Sequence, residues 1–228
     1  MRLPAATPVV LDWRLWFPDP SAAIHTQRVN GLVAVGGDLS VHRLLLAYRS
    51  GIFPWSVDPI SWWSPDPRGI FDLDQFHVSR SLGRTVRKSV FEVSVNRAFR
   101  KTVEGCAASA PGRPSTWISP EFIEAYCELH RLGHAHSVEC WRGGELVGGI
   151  YGVAVGGLFA GESMFHLRPD ASKVALYHLA RRLRERGFVL FDIQMVTPHT
   201  ERLGAIEIPR REYLKRLKSA LEKDCPFE

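Results

Sequence analysis

Asp192 and Gln194 stand two positions apart in the run Phe188 to Met195, where they alternate with Val189, Phe191, Ile193 and Met195 in the period-two pattern of a β-strand. Both polar side chains then project from one face, beside Phe188 and Leu190, with Cβ atoms about 7 Å apart. At that separation the carboxylate can accept a hydrogen bond from the amide NH2. A solvent-facing polar pair has the same spacing, but the flanking apolar residues argue for partial burial, where such a pair requires a reason. A second carboxylate, Glu162, interrupts the apolar run Gly161-Glu162-Ser163-Met164-Phe165, either as a site acid or as a glutamate on an edge strand.

Trp55, Trp62, Trp63 and Trp117 lie in or beside proline-bearing loops, where an indole serves as core or as a stacking surface for a nucleobase. Arg80, Arg84, Arg87 and Lys88 follow Ser79 at spacings i, i+4, i+7 and i+8, which a 3.6-residue period gathers on one side of a helix. That basic stripe is a solvated face or a track for phosphates. His130, His134 and His136 straddle a helix end without a carboxylate or cysteine at a metal-ligand spacing, so no metal is expected. No P-loop, no GxGxxG opening a helix after a strand and no GxSxG elbow occurs, which leaves bound ATP, NAD or serine-hydrolase chemistry without support.

The chain that must position these groups has 228 residues, 45% apolar and 23% charged, the make-up of a compact protein of one or two domains. Its formal charge of +5 favours acidic partners such as nucleic acid, though many ordinary enzymes are as basic. Cys106, Cys127, Cys140 and Cys225 form no CxxC pair, which fits a reduced, cytoplasmic protein. The opening residues lack an apolar core of signal-peptide length, so no export is expected. The longest uncharged apolar stretch, Leu146 to Gly161, has 16 residues and six glycines, short of the roughly 20 that span a bilayer.

Ser40 can cap a helix over Val41 to Ser50 that Gly51 ends, after which Ile52-Phe53-Pro54-Trp55 carries aromatic surface into a loop. Pro65-Asp66-Pro67-Arg68-Gly69 marks a domain boundary. Beyond it, Phe91 to Asn96 predicts a strand and Arg97 to Ala107 a helix, and Ser119-Pro120 opens a second helix that Gly133 stops. Ser137 to Trp141, Glu145 to Val155 and Leu158 to Phe165 predict an antiparallel meander, with Gly143-Gly144 and Gly156-Gly157 supplying positive φ in its turns. Glycines within its middle strand imply close approach of another element or a ligand. Helices over Ala171 to Arg186 and Pro209 to Leu221 flank the Asp192 strand. The pattern predicts an α+β fold around one central mixed sheet.

These segments closely resemble the bacterial leucyl/phenylalanyl-tRNA–protein transferases. The resemblance rests on GLVAVGGDLS at Gly31 to Ser40, GIFPW at Gly51 to Trp55, WWSPDPR at Trp62 to Arg68, FHVSRS at Phe76 to Ser81, STWI at Ser115 to Ile118, AYCELH at Ala125 to His130, ELVGGIYG at Glu145 to Gly152, LFAGESMF at Leu158 to Phe165 and LGAIEIPR at Leu203 to Arg210. It implies a small amino-terminal α/β domain, residues 1–68, and a larger domain, residues 69–228, similar to the GCN5-related acyltransferase (GNAT) fold. The implied reaction moves Leu or Phe, with Met as a further donor, from tRNA to the α-amino group of proteins beginning with Arg or Lys. The product is an N-degron for an adaptor-dependent protease. The implied enzyme is cytoplasmic, not membrane-bound, and needs no cofactor.

By position, the resemblance makes Asp192, Gln194 and Glu162 the catalytic residues and puts Trp55 and Trp117, with Tyr48 and Tyr126 nearby, at the terminal adenosine. Ile150, Phe159, Leu179, Leu183 and Phe191 become the pocket for the transferred side chain, and Arg80, Arg84, Arg87 and Lys88 the tRNA contact. An apolar pocket favours Leu, Phe and Met over small or polar side chains without sharply separating those three. In this scheme Gln194 accepts a hydrogen bond from the attacking amine while Asp192 holds its NH2, and Glu162 holds the cationic acceptor terminus.

Two other readings compete. An acyl-CoA N-acetyltransferase needs a glycine-bearing pyrophosphate loop, and His166-Leu167-Arg168-Pro169-Asp170-Ala171-Ser172 has no glycine. A non-catalytic RNA-binding module would use the stripe and the indoles, leaving Asp192, Gln194 and Glu162 idle.

Overall fold

The computed structural model describes residues 7–109 and 116–228, so Ser115 of the STWI segment lies outside the described residues. In chain order the elements are β1 (Val9–Leu11), β2 (Ile24–His25), β3 (Asn30–Gly36), α1 (Val41–Arg49), β4 (Phe53–Val57), β5 (Ile60–Trp63), β6 (Arg68–Phe71), α2 (Arg80–Arg87), β7 (Glu92–Val95), α3 (Phe99–Ala107), α4 (Pro120–Arg131), β8 (Ala135–Arg142), β9 (Glu145–Val155), β10 (Leu158–His166), α5 (Ala171–Glu185), β11 (Leu190–Gln194), α6 (Pro198–Glu201), β12 (Ala205–Ile208) and α7 (Arg210–Leu221). They build two mixed sheets, not the single one expected. The first runs β1-β3-β5-β4 with β2 on β3; the second runs β12-β6-β11-β10-β9-β8-β7. The first sheet escaped the sequence pattern because its strands are short and cross Pro54 and several aromatics, so that the predicted loop at Phe53 to Trp55 is strand β4.

The glycine turns do produce the β8-β9-β10 meander. Gly143 and Gly144 adopt φ of 60° and 81°, but in the second turn only Gly156 is left-handed, at 58°. The glycines inside β9 answer to neighbouring elements. A Cβ at Gly148 would come within 2.6 Å of the Ala171 Cβ on α5, and one at Gly152 within 2.2 Å of the Ala160 oxygen on β10. Ser40 and Ser79 cap α1 and α2 as side-chain acceptors, whereas Ser119 donates to Glu121 at 2.6 Å and makes no cap bond to α4.

Both faces of the seven-stranded sheet are covered. One core holds Tyr48, Trp62, Phe99, Tyr126, Tyr151, Leu190 and Tyr213, joining α1, α3, α4, α7 and the first sheet to the second. The opposite core holds Ile150, Phe159, Leu179, Leu183 and Phe191 under α5, with Leu82 of α2. Among the described residues no helix is long and apolar enough to cross a membrane.

Candidate functional site

The site is built where two central strands stop pairing. β10 and β11 run parallel from Leu158↔Leu190 to Ala160↔Asp192, and their ladder ends there. Immediately beyond, β10 changes register between Gly161 and Ser163, and β11 between Asp192 and Gln194. A bulge adds a residue to one strand and turns its side chains off the regular alternation. The bulge in β10 does this visibly: Leu158 and Ala160 face one core, yet Phe165 returns to that core from an odd position. Glu162 and Gln194 flank the interruption, with Gln194 Nε2 3.4 Å from Glu162 Oε1.

Gln194 takes φ of 60°, the left-handed region that L-residues rarely enter outside turns. Its backbone N–H donates to Asp192 Oδ1 at 2.9 Å, which stabilises the turn. Opposite, Gly69 leaves room for it, since a Cβ there would lie 2.7 Å from the Met195 carbonyl carbon. This turn corrects two expectations. Asp192 binds the backbone of Gln194 and not its side-chain NH2, because the bulge breaks the i, i+2 parity. The apolar face Val189, Phe191, Ile193 and Met195 holds only in its middle, where Phe191 and Ile193 pack in the core under α5, while Val189 and Met195 are exposed.

Asp192 is buried and spends both oxygens on groups the sequence pattern did not single out. Arg68 Nε donates to Oδ1 at 2.8 Å and Nη2 to Oδ2 at 2.6 Å, while the Tyr213 hydroxyl donates to Oδ2 at 3.0 Å. The Arg68 guanidinium also lies 4.3 Å from the Tyr213 ring centroid and donates to the Gly51 carbonyl at 3.0 Å. Burial alone would make Arg68 easier to deprotonate, but the charge and hydrogen bonds of Asp192, with Tyr213 and Glu162 adding to them, together outweigh it and raise its pKa. The WWSPDPR segment carried the only signal for this arginine.

Glu162 is not on an edge, since β10 lies between β9 and β11. It accepts hydrogen bonds from Tyr48 at 2.9 Å and Tyr126 at 2.8 Å, and the two hydroxyls are themselves 2.9 Å apart. Burial pushes its carboxyl up to about 7, against the two tyrosine hydrogen bonds and with the Asp192 charge adding to the rise. Tyr48 and Tyr126 are buried and neither lines the cleft, so in this structure they support Glu162 and present no surface to an adenosine.

A cleft of about 170 Å³ opens on these groups, lined by Phe53, Pro54, Trp55, Trp117, Glu162, Ile193, Gln194, Met195 and Thr197. Trp55 contacts Phe53 and Trp63 with ring centroids 5.9 and 6.0 Å away, and Trp117 meets Phe122 edge-on at 5.1 Å. A larger cavity of about 350 Å³ between α2, β7 and α5 is lined by Thr85, Ser89, His178 and Arg181 among apolar residues, with no carboxylate and no indole. Trp62, in contrast, is core.

Ile150, Phe159, Leu179, Leu183 and Phe191 are brought together behind the sheet, on the α5 side, and none lines this cleft. Phe159 and Phe191 face away from Asp192 because they alternate with Ala160 and Asp192 along paired strands. Arg80, Arg84, Arg87 and Lys88 are exposed on or just after α2, and among the described residues none of the four makes an ion pair. His130 stacks on Phe99 at 4.2 Å and His136 on Phe227 at 4.2 Å. Among the described residues no cluster of His, Cys, Asp and Glu could hold a metal.

The family model described as leucyl/phenylalanyl-tRNA protein transferase matches residues 70–218, and that of the same family's N-terminal domain matches residues 37–66. The leucyl/phenylalanyl-tRNA–protein transferase of Nitratidesulfovibrio vulgaris (strain DP4) is 55% identical over 207 residues, covering 90% of this chain and 87% of that protein. Its counterpart from Idiomarina loihiensis is 50% identical over 212 residues, covering 92% and 89%. Among solved structures, L-PGS from Bacillus licheniformis overlaps at 13% identity with a TM-score of 0.43, covering 78% of this chain and 62% of that one, too loose a likeness for any property to transfer.

Proposed function

The chain belongs to the leucyl/phenylalanyl-tRNA protein transferase family and is an aminoacyl-tRNA-dependent transferase, and from that premise we propose that it moves Leu or Phe, with Met as a third donor, onto proteins beginning with Arg or Lys. The observation that supports this reading most is the cleft in which two indoles and the Glu162–Gln194 pair converge. Trp55 and Trp117 offer faces for the terminal adenosine, and Ile193, at the parting of β10 and β11, leads toward Phe159, Phe191, Leu179, Leu183 and Ile150. Those five residues, closed off from the cleft in this structure, receive the side chain of the donor once the core beside Ile193 opens.

The ester of aminoacyl-tRNA is already activated, so the protein mainly has to align a neutral amine with its carbonyl carbon. An α-amino group, with an unperturbed pKa of about 7.7 to 8.0, arrives partly as ammonium. Glu162, its carboxyl raised to about 7, is close enough in proton affinity to take that proton. Gln194 turns its NH2 toward Glu162, which leaves its carbonyl oxygen to accept a hydrogen bond from the amine. Asp192 acts through the Gln194 backbone, and Arg68 and Tyr213 fix Asp192. The amine nitrogen bonds to the ester carbon, the carbon–oxygen bond to the ribose breaks, the departing ribose oxygen takes the proton held by Glu162, and the second proton of the nitrogen passes to the freed Glu162 carboxylate.

This reading divides the chain into a small amino-terminal domain, residues 1–68, and a GNAT-like transfer domain, residues 69–228. It has in its favour that the first sheet ends with Trp63 and the second begins with Arg68. It also makes the enzyme cytoplasmic and its product an N-degron taken up by a protease adaptor. Incubation with radiolabelled Leu-tRNA and peptides beginning with Arg, Lys or Glu, without ATP, tests it. Label should enter the Arg and Lys peptides only; no transfer, or equal transfer to all three, contradicts it.

A further inference from the structure

Beyond α7 the chain turns back across the sheet and buries Phe227, a residue outside the segment that matches the family model, which ends at 218. The Phe227 ring stacks on Phe159 with centroids 5.4 Å apart and planes at 24°, and on His136 at 4.2 Å and 14°. Phe188 meets it edge-on at 6.2 Å. Arg182 on α5 fastens it twice, with the guanidinium 5.2 Å from the ring centroid and Nε donating to the Phe227 carbonyl at 2.7 Å.

Phe159 therefore has one stacked aromatic neighbour from the tail and two edge-on ones, Phe191 at 5.7 Å from the adjacent strand and Phe188 at 6.4 Å. We propose that Phe227 is a positioning residue for donor specificity, holding the Phe159 ring in place and so setting how large a side chain the enzyme accepts. The inference rests on the reading in which Phe159 and Phe191 receive the donor side chain. Protein interiors are close-packed, so volume removed behind Phe159 becomes freedom for its ring to withdraw. A pocket wall able to withdraw admits bulkier donors, and discrimination by apolar pockets responds to single methylene-sized changes.

The experiment compares kcat/KM for tRNA charged with Leu, Phe or Trp, using the full chain, Phe227→Ala and Phe227→Leu. Melting temperatures establish that each variant is folded. In Phe227→Ala the Trp-to-Leu ratio should rise roughly tenfold or more. Phe227→Leu, which retains most of the bulk, should move the ratio less in the same direction, and it decides the matter if the alanine variant does not fold. A merely structural role lowers the melting temperature and leaves the ratio at the wild-type value, and that result overturns the inference. Failure of the wild-type protein to transfer Leu or Phe overturns instead the functional reading beneath it.

Discussion

Arg68 and Asp192 form a two-point ion pair at 2.8 and 2.6 Å, with both side chains 1% exposed and 124 positions apart in sequence. The pair joins the start of β6 to the bulge of β11, directly beneath the turn that presents Gln194. Two buried charges cost several kcal/mol to desolvate, which the parallel hydrogen bonds, the Gly51 carbonyl and the Tyr213 hydroxyl offset.

Removing one partner leaves the other charge buried alone. Arg68→Ala should destabilise the fold by about 3 to 5 kcal/mol in urea unfolding. Arg68→Lys should not restore it, because a single ammonium cannot match the two carboxylate oxygens in parallel. Wild-type stability in the alanine variant would mean that Asp192 finds another partner.

Glu162 should pull stability and activity in opposite directions with pH. Its carboxyl lies at about 7 in the folded protein against an ordinary 4.5, so the fold favours its protonated form. That contribution is complete below pH 4.5 and is lost as pH rises through about 7, a loss on the order of 3 kcal/mol. Urea unfolding of wild type and Glu162→Gln across this range should show the loss only in wild type. Turnover should instead rise through about pH 7 as Glu162 becomes able to accept a proton, and Glu162→Gln should lack that limb.

Trp55 is 37% exposed at the cleft and Trp117 half-buried. Replacing either with Ala should raise KM for aminoacyl-tRNA by the equivalent of about 1 to 3 kcal/mol, the worth of a stacked base, with a smaller effect on kcat. Trp55→Phe should recover most of the loss. A fall in kcat at constant KM would remove the indoles from binding.

The exposed residues of the basic stripe should be read by salt. Changing Arg80, Arg84 and Lys88 to Ala should weaken tRNA binding and flatten the slope of log K against log salt by up to about 0.9 for each phosphate no longer neutralised. An unchanged slope returns these residues to a solvated face.

Much of the fold was legible because local signals agreed. The meander had glycine turns, α1 had a serine cap and a glycine stop, and α4 had a proline in its first turn and a glycine stop. Alternation failed at β11 because a bulge is a departure from period two that composition does not announce. Asp192, Gln194 and Glu162 stood out as polar residues in apolar strands, but their partners did not. Arg68, Tyr213, Tyr48 and Tyr126 reach them from distant segments, and a buried tyrosine looks like any core aromatic until its hydroxyl has a destination.

Acyl transfer where β10 and β11 part is tested most directly by single-turnover transfer from bound Leu-tRNA to saturating Arg-peptide by Gln194→Ala. The transfer step should slow by about a hundredfold or more with tRNA affinity preserved. Transfer at the wild-type rate would place the chemistry elsewhere.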